Sequence, residues 1–296
     1  MAGMKTEIIA IANQKGGVGK TTTAVNLSAC LVELRKKVLL VDLDPQANAT
    51  SGLGMEKTAG HSIYQALLSA GDLRDSIHPT DYRNFDVIPS ELDLAGAEVD
   101  LVTAPDYNAR LRRALRPLAE EGRYDVIFVD CPPSLGMLTI NALVAADRVL
   151  IPLQCEYYAL EGLSTITQVI EQIRETGGNP DLEIDGIVMT MYSSRTRLAR
   201  QVVQNVYEHF GEKLYETMIP RTVRLSEAPG FGKPVIVYDP QSNGATAYRL
   251  LAREFLRRRA QHPAESPAQA SAPAEPATAN SPSESSAPPV DAPPEA

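Results

Sequence analysis

Cysteine is scarce in this 296-residue chain: Cys30, Cys131 and Cys155 are the three, with neither metal-ligand spacing nor an even-numbered framework. That argues against a disulfide-stapled fold and a cysteine-based metal module, and leaves reduced thiols in an intracellular protein as the expectation. Long apolar runs are missing. None approaches the ~20 residues that span a bilayer, and the first residues hold no apolar signal core, so the chain is expected to be soluble and cytoplasmic. Histidine numbers four, and His61, His78, His209 and His262 fall in loops, helix ends or the final segment. No histidine is therefore expected to act as a general base. An excess of positive charge is missing too. The formal net charge is −9, so overall charge predicts no nucleic-acid partner, and any DNA binding has to come from a local basic patch.

Lysine and arginine are absent altogether from residues 262–296, which hold nine of the 22 prolines and five acids. Val290 is the sole branched aliphatic residue there. Such a segment cannot bury enough apolar surface to offset its ordering entropy, so a disordered tail is expected. Removing its five acids brings the charge from −9 to −4 for residues 1–261, a length that suits one large domain.

What is present is an alternation of short apolar runs with longer amphipathic ones. Glu7–Asn13, Lys37–Asp42, Phe85–Pro89, Tyr124–Asp130, Arg148–Leu153 and Ile184–Met191 read as buried strands, with a weaker one, "ETMIP", ending at Pro220. Near-continuous Val, Ile and Leu without polar alternation is what a parallel sheet covered on both faces demands. Thr21–Leu34, Asn108–Glu121, Leu138–Ala146, Leu160–Glu175, Leu198–Phe210 and Ala245–Arg258 carry helical periodicity. The fold class is therefore α/β, a doubly wound, mostly parallel sheet with helices on both faces. Ligands of such sheets sit at the carboxyl ends of the strands, so the chemistry is expected in "QKGGVGKT", "LDPQAN", "CPPS", "QCEYYALEG" and "IPRTVRLSEAPGFGKP".

The first stretch is a phosphate loop. Gly16, Gly17 and Gly19 follow a strand and open a helix, so the backbone N–H groups of residues 16–19, Val18 included, can curl around an anion at a helix N-terminus. Lys20 reaches the β- and γ-phosphates in such loops, and the Thr21 hydroxyl binds Mg²⁺, with Thr22 beside it. Gln14 stands where the common pattern has glycine, and the chain matches KGGxGK[ST] instead. Asp130 ends a strand at the usual place of the aspartate that holds the Mg²⁺ shell. Asp42 and Asp44, two apart on an extended strand end, point the same way; the Asp-Pro pair equally suits a turn cap.

In "NQKGGVGKTT", "LLVDLDPQANATSGLG", "VDCPPSLG", "QCEYYALEGL" and "IPRTVRLSEAPGFGKP" the chain resembles chromosome-partitioning ATPases of the ParA/Soj family, from about Lys5 to Ala260. The resemblance implies ATP and Mg²⁺, and slow hydrolysis stimulated by a ParB-like DNA-bound partner. It implies a homodimer closed by ATP, in which Lys15 reaches the ATP of the other subunit. It makes Asp44 the residue that orients or activates water, has Asp42 support the Mg²⁺ environment, and sets Pro220 beside the adenine. Arg195 and Arg224 then line a face that binds double-stranded DNA without regard to sequence, associating the protein with the nucleoid. The residues themselves add Arg197 and Arg200 to the first basic stretch and Lys233 to the second. Three other classes share the loop: a MinD-like membrane regulator, an iron–sulfur carrier, and an ATPase that positions another cargo. The first needs a free amphipathic helix and the second bridging cysteines; no membrane partner is expected.

Overall fold

The expected strands form as β1 (Glu7–Ile11), β2 (Val38–Asp42), β4 (Phe85–Ile88), β5 (Val126–Asp130), β6 (Arg148–Gln154) and β7 (Glu183–Thr190) in a computed structural model. It describes residues 6–56, 62–69, 72–102 and 106–261. The tail expected from residue 262 lies outside the described residues, as do His61 and His262. One further strand, β3 (His78–Pro79), is two residues long. The sheet order is β3-β4-β2-β5-β1-β6-β7, and every neighbouring pair is parallel except β3 with β4.

The chain thus begins at β1 inside the sheet, winds outward to β4, returns through β5 and then crosses to β6 and β7. Successive residues of β1 serve opposite faces, as strand geometry requires. Ile8 and Ala10 join a core with Leu39, Val41, Ile127 and Val129, and Ile9 and Ile11 join another with Leu40, Phe128, Leu27 and Phe255.

The helices are α1 (Lys20–Glu33), α2 (Asn48–Gly52), α3 (Ile63–Ser69), α4 (Leu94–Val102), α5 (Arg110–Glu120), α6 (Met137–Ala145), α7 (Ala159–Glu175), α8 (Arg197–Phe210), α9 (Val223–Glu227), α10 (Val235–Tyr238) and α11 (Asn243–Gln261). The six expected helices are among them, each end within three residues of its expectation. α5 shows why: its buried residues are Leu111, Ala114, Leu115, Leu118 and Ala119, which recur at three- and four-residue steps along one face. The "ETMIP" stretch differs from expectation. Isolated bridges join Leu214, just before it, to Ile187 of β7, and its Pro220 to Tyr192, just past the end of β7. Three backbone hydrogen bonds accompany them, from Tyr215 N to Ile187 O, Ile219 N to Met189 O and Tyr192 N to Ile219 O. Pro220, with no N–H to give, cannot extend the ladder.

Candidate functional site

Register brings the chemistry together. Ile11 of β1 and Asp42 of β2 both pair with Asp130 of β5, so three strands end side by side. From the end of β1 the glycine loop turns into α1, with Gly17 at φ 74° and Gly19 at φ 90°, left-handed values that favour glycine. Asn13 fixes the start of the loop: its Nδ2 donates to Pro152 O (2.8 Å) and its Oδ1 accepts from Lys15 N (3.0 Å). A cleft of about 580 Å³ opens there, lined by Gly16, Gly17, Gly19, Lys20, Thr21 and Thr22 among others.

Lys20 is 6% exposed and its Nζ donates to Lys15 O at 3.2 Å. Burial lowers its pKa, opposed by Asp130, Cys131 and Asp44. Asp130 is fully buried, and among the described residues neither carboxylate oxygen has a hydrogen-bond partner. Burial first, and the neighbouring Asp42 second, push its pKa well above the usual carboxylate range. The Thr21 hydroxyl and Lys20 soften that rise without hydrogen-bond geometry to the carboxylate. A buried acid with open oxygens, beside a lysine at the mouth of a glycine cradle, is the donor set a magnesium nucleotide needs. Mg²⁺ takes one or two protein oxygens and fills its shell with phosphate and water. The described residues accordingly hold no group of three or more His, Cys, Asp or Glu placed as a metal cage.

Asp42 is engaged otherwise. Its Oδ1 accepts from Asp44 N (3.2 Å), and its Oδ2 accepts from Thr50 N (2.8 Å) and Thr50 Oγ1 (2.7 Å). Burial still raises its pKa to about 6. With three of its lone pairs occupied it braces α2 against β2, and a place in the Mg²⁺ environment is indirect. Asp44, 7% exposed, lines the cleft while its Oδ1 accepts from Gln46 N (3.0 Å). It is a turn cap and a cleft carboxylate at once.

Lys15 is exposed and forms an ion pair with Glu156 of the "QCEYYALEG" stretch at 2.5 Å. With both side chains 43% exposed, such a pair is worth about 0–1 kcal/mol. Pro220 is not among the lining residues; Met191, Ala228, Pro229, Gly230 and Lys233 close that side instead. Lys233, grouped by sequence with the basic stretch, thus faces the cleft. The signal was "APGFGKP", a legible motif whose lysine the sequence grouped with the basic stretch instead of the nucleotide cleft.

The starts of the two arginine stretches lie next to each other. The Tyr192–Pro220 bridge sets them side by side, and Arg221 N donates to Tyr192 O (3.3 Å). Arg195, Arg197 and Arg200 are exposed, and no ion pair of theirs occurs among the described residues. Arg224 differs: it pairs with Glu227 (2.9 Å) and Asp239 (3.1 Å).

Two of the other classes, the membrane regulator and the iron–sulfur carrier, fit poorly. Leu251 and Phe255 of α11 are buried in the core, whereas a membrane-binding helix needs its apolar face free, and no helix among the described residues is long and apolar enough to cross a membrane. Cys131 is fully buried with its thiol pKa pushed up strongly, and burial pushes that of Cys155 to about 12, which disfavours the thiolates a cluster needs.

The family model described as an AAA domain matches residues 6–184. The chain is 54% identical over 252 residues to the chromosome partitioning protein ParA of Myxococcus xanthus, covering 85% of this chain and 88% of that one. It is 54% identical over 249 residues to the sporulation initiation inhibitor protein Soj of Bacillus subtilis, covering 84% and 97%. A crystal structure described as cobyrinic acid a,c-diamide synthase from Mycobacterium smegmatis, with bound ADP and magnesium, superposes with a TM-score of 0.74. It is 38% identical, with 87% and 96% of the two chains covered.

Proposed function

The chain belongs to the ParA/Soj family of chromosome-partitioning ATPases, and on that premise we propose that it is a nucleotide-gated DNA-binding switch. In this reading the glycine loop and Lys20 bind the phosphates of ATP, while Thr21 and Asp130 hold Mg²⁺. When bound there, Mg²⁺ would supply positive charge to the phosphate oxygens. Asp44 orients the attacking water from the cleft wall. Lys15 leaves Glu156, at little cost for so exposed a pair, and reaches the nucleotide of a second copy. With no strong base and no arginine supplied by another protein, turnover is expected to be far below 1 s⁻¹. A ParB-like DNA-bound partner then accelerates hydrolysis and ends the DNA-bound state, with the protein gathered on the nucleoid while ATP lasts.

The observation that carries this reading is a continuity of backbone. Met191 lines the cleft, and four residues later the same loop presents the unpaired Arg195. Arg195 and Arg197 neutralise DNA phosphates. Dimerisation doubles them and raises their effective concentration. Arg224 joins once its pairing with Glu227 and Asp239 loosens.

The test is a titration of double-stranded DNA with ATP, ADP or no nucleotide at two salt concentrations. Wild type is compared with Lys15→Ala, Arg195→Ala and Arg224→Ala. Binding is expected only with ATP, and Lys15→Ala should abolish it. Arg195→Ala should flatten the log–log salt slope by about 0.9 for each DNA phosphate that is no longer neutralised. DNA binding that ignores the nucleotide, or none in any state from a protein that hydrolyses ATP, sinks the DNA reading and leaves a cargo-positioning ATPase with the same cycle.

A further inference from the structure

At the end of β7, Thr190 reaches across to the glycine loop. Its hydroxyl donates to Val18 O at 2.7 Å, and both residues are buried, at 2% and 1% exposed. Its methyl lies against Gly19, where an added Cβ would meet Thr190 Cγ2 at 3.6 Å. The threonine is itself held by backbone: it pairs in register with Gln154 of β6, and its carbonyl accepts from Cys155 N at 3.2 Å.

A trans peptide is planar, so the carbonyl of one residue and the N–H of the next point in opposite directions. Holding Val18 O toward β7 therefore turns the Gly19 N–H away from β7. Gly19 lines the cleft together with Lys20 and Thr21. We propose that Thr190 is a positioning residue for phosphate binding: its hydroxyl pins the Val18–Gly19 peptide so that the Gly19 N–H faces the phosphates. Without that bond the peptide unit is free to rotate, since glycine at 19 offers little resistance in either sense. A β-branched residue suits the task, because two heavy atoms on Cβ restrict χ1 and hold the hydroxyl in one place.

The inference rests on nucleotide binding in this cleft, and the experiment separates the two. ADP affinity is measured calorimetrically for the full chain as wild type, Thr190→Val and Thr190→Ser. The Gly19 amide is followed by ¹⁵N NMR through the same titrations. Val keeps the shape and removes the hydroxyl, whereas Ser keeps the hydroxyl. Thr190→Val should bind ADP roughly tenfold more weakly, the scale of one hydrogen bond to a charged group. Its Gly19 amide should lose the downfield shift that wild type shows on ADP binding, and Thr190→Ser should recover both. Should Val impair folding, Thr190→Ala serves as the hydroxyl-free variant. A hydroxyl-free variant within twofold of wild type overturns the proposal, as does a Ser variant as weak as Val. Wild type that fails to bind ADP at all overturns the nucleotide reading beneath it.

Discussion

Replacing Asp130 with asparagine removes a buried charge whose oxygens have no hydrogen-bond partner among the described residues, and its effect on stability should depend on pH. Burial lifts the folded-state pKa of Asp42 to about 6 and that of Asp130 well above the ordinary value. A folded state that holds protons more tightly than the unfolded one loses stability as pH rises. The loss begins near pH 4 and continues as pH rises through the raised values of both groups. Asp130→Asn should lose less over that range, so its advantage over wild type widens with pH, to about 1–3 kcal/mol at pH 8. Urea denaturation at pH 5, 6, 7 and 8 without nucleotide measures this, and a gap that does not change with pH would disprove it. The same variant should lose magnesium-dependent ATP binding. At this scale the sequence was informative for the loop and Asp130, because their types and spacing alone point to phosphate and metal. The pairing of Lys15 with Glu156, 141 residues apart, left no trace in spacing. Nor did the second partner of Arg224, Asp239.

Two short elements that carry site residues touch through bare backbone. After α2, Gly54 has φ 75°, and after α9, Gly232 has φ 63°. A Cβ on Gly232 would stand 2.7 Å from Gly54 Cα, and one on Gly54 would stand 3.2 Å from Gly232 O. Gly232→Ala therefore incurs both a left-handed side-chain strain and a clash that neither backbone can relieve. A loss of roughly 1–3 kcal/mol is expected, read as a lower urea midpoint at unchanged slope. A change below about 0.5 kcal/mol would mean the two segments part easily. Elements of this size explain what the sequence left hidden. The buried strands and long helices announce themselves by unbroken Val, Ile and Leu and by three-to-four spacing. α2, α9 and α10 have five, five and four residues, too few for any period to register. The His78–Pro79 strand is shorter still, and depends on its partner β4 for definition.

Across the whole molecule, α11 closes the structure by tying the chain's last described helix to its first strand. Arg259 Nε pairs with Glu7 and its Nη2 with Asp185, each at 2.6 Å, with its side chain 15% exposed. Its guanidinium also lies over the Phe255 ring. Arg259→Met keeps the bulk and leaves Asp185, 5% exposed, with only the Tyr215 hydroxyl as a hydrogen-bond donor among the described residues. Such a change typically costs about 3–5 kcal/mol, to be measured by chemical denaturation. Recovery on adding Asp185→Asn would identify the stranded charge as the cause, and no recovery would point to packing instead. The sequence carried no sign of this tether, because the partners stand 252 and 74 positions away. The sheet that α11 covers has one more property. Its outer strand β3 is two residues long and ends in proline, and its other edge, β7, is padded by the irregular stretch from Leu214 to Pro220. Long rows of unpaired backbone groups are what let one sheet recruit another. With both borders blunted, copies of this chain that meet at high local density find no sheet edge to serve as a template for fibre growth.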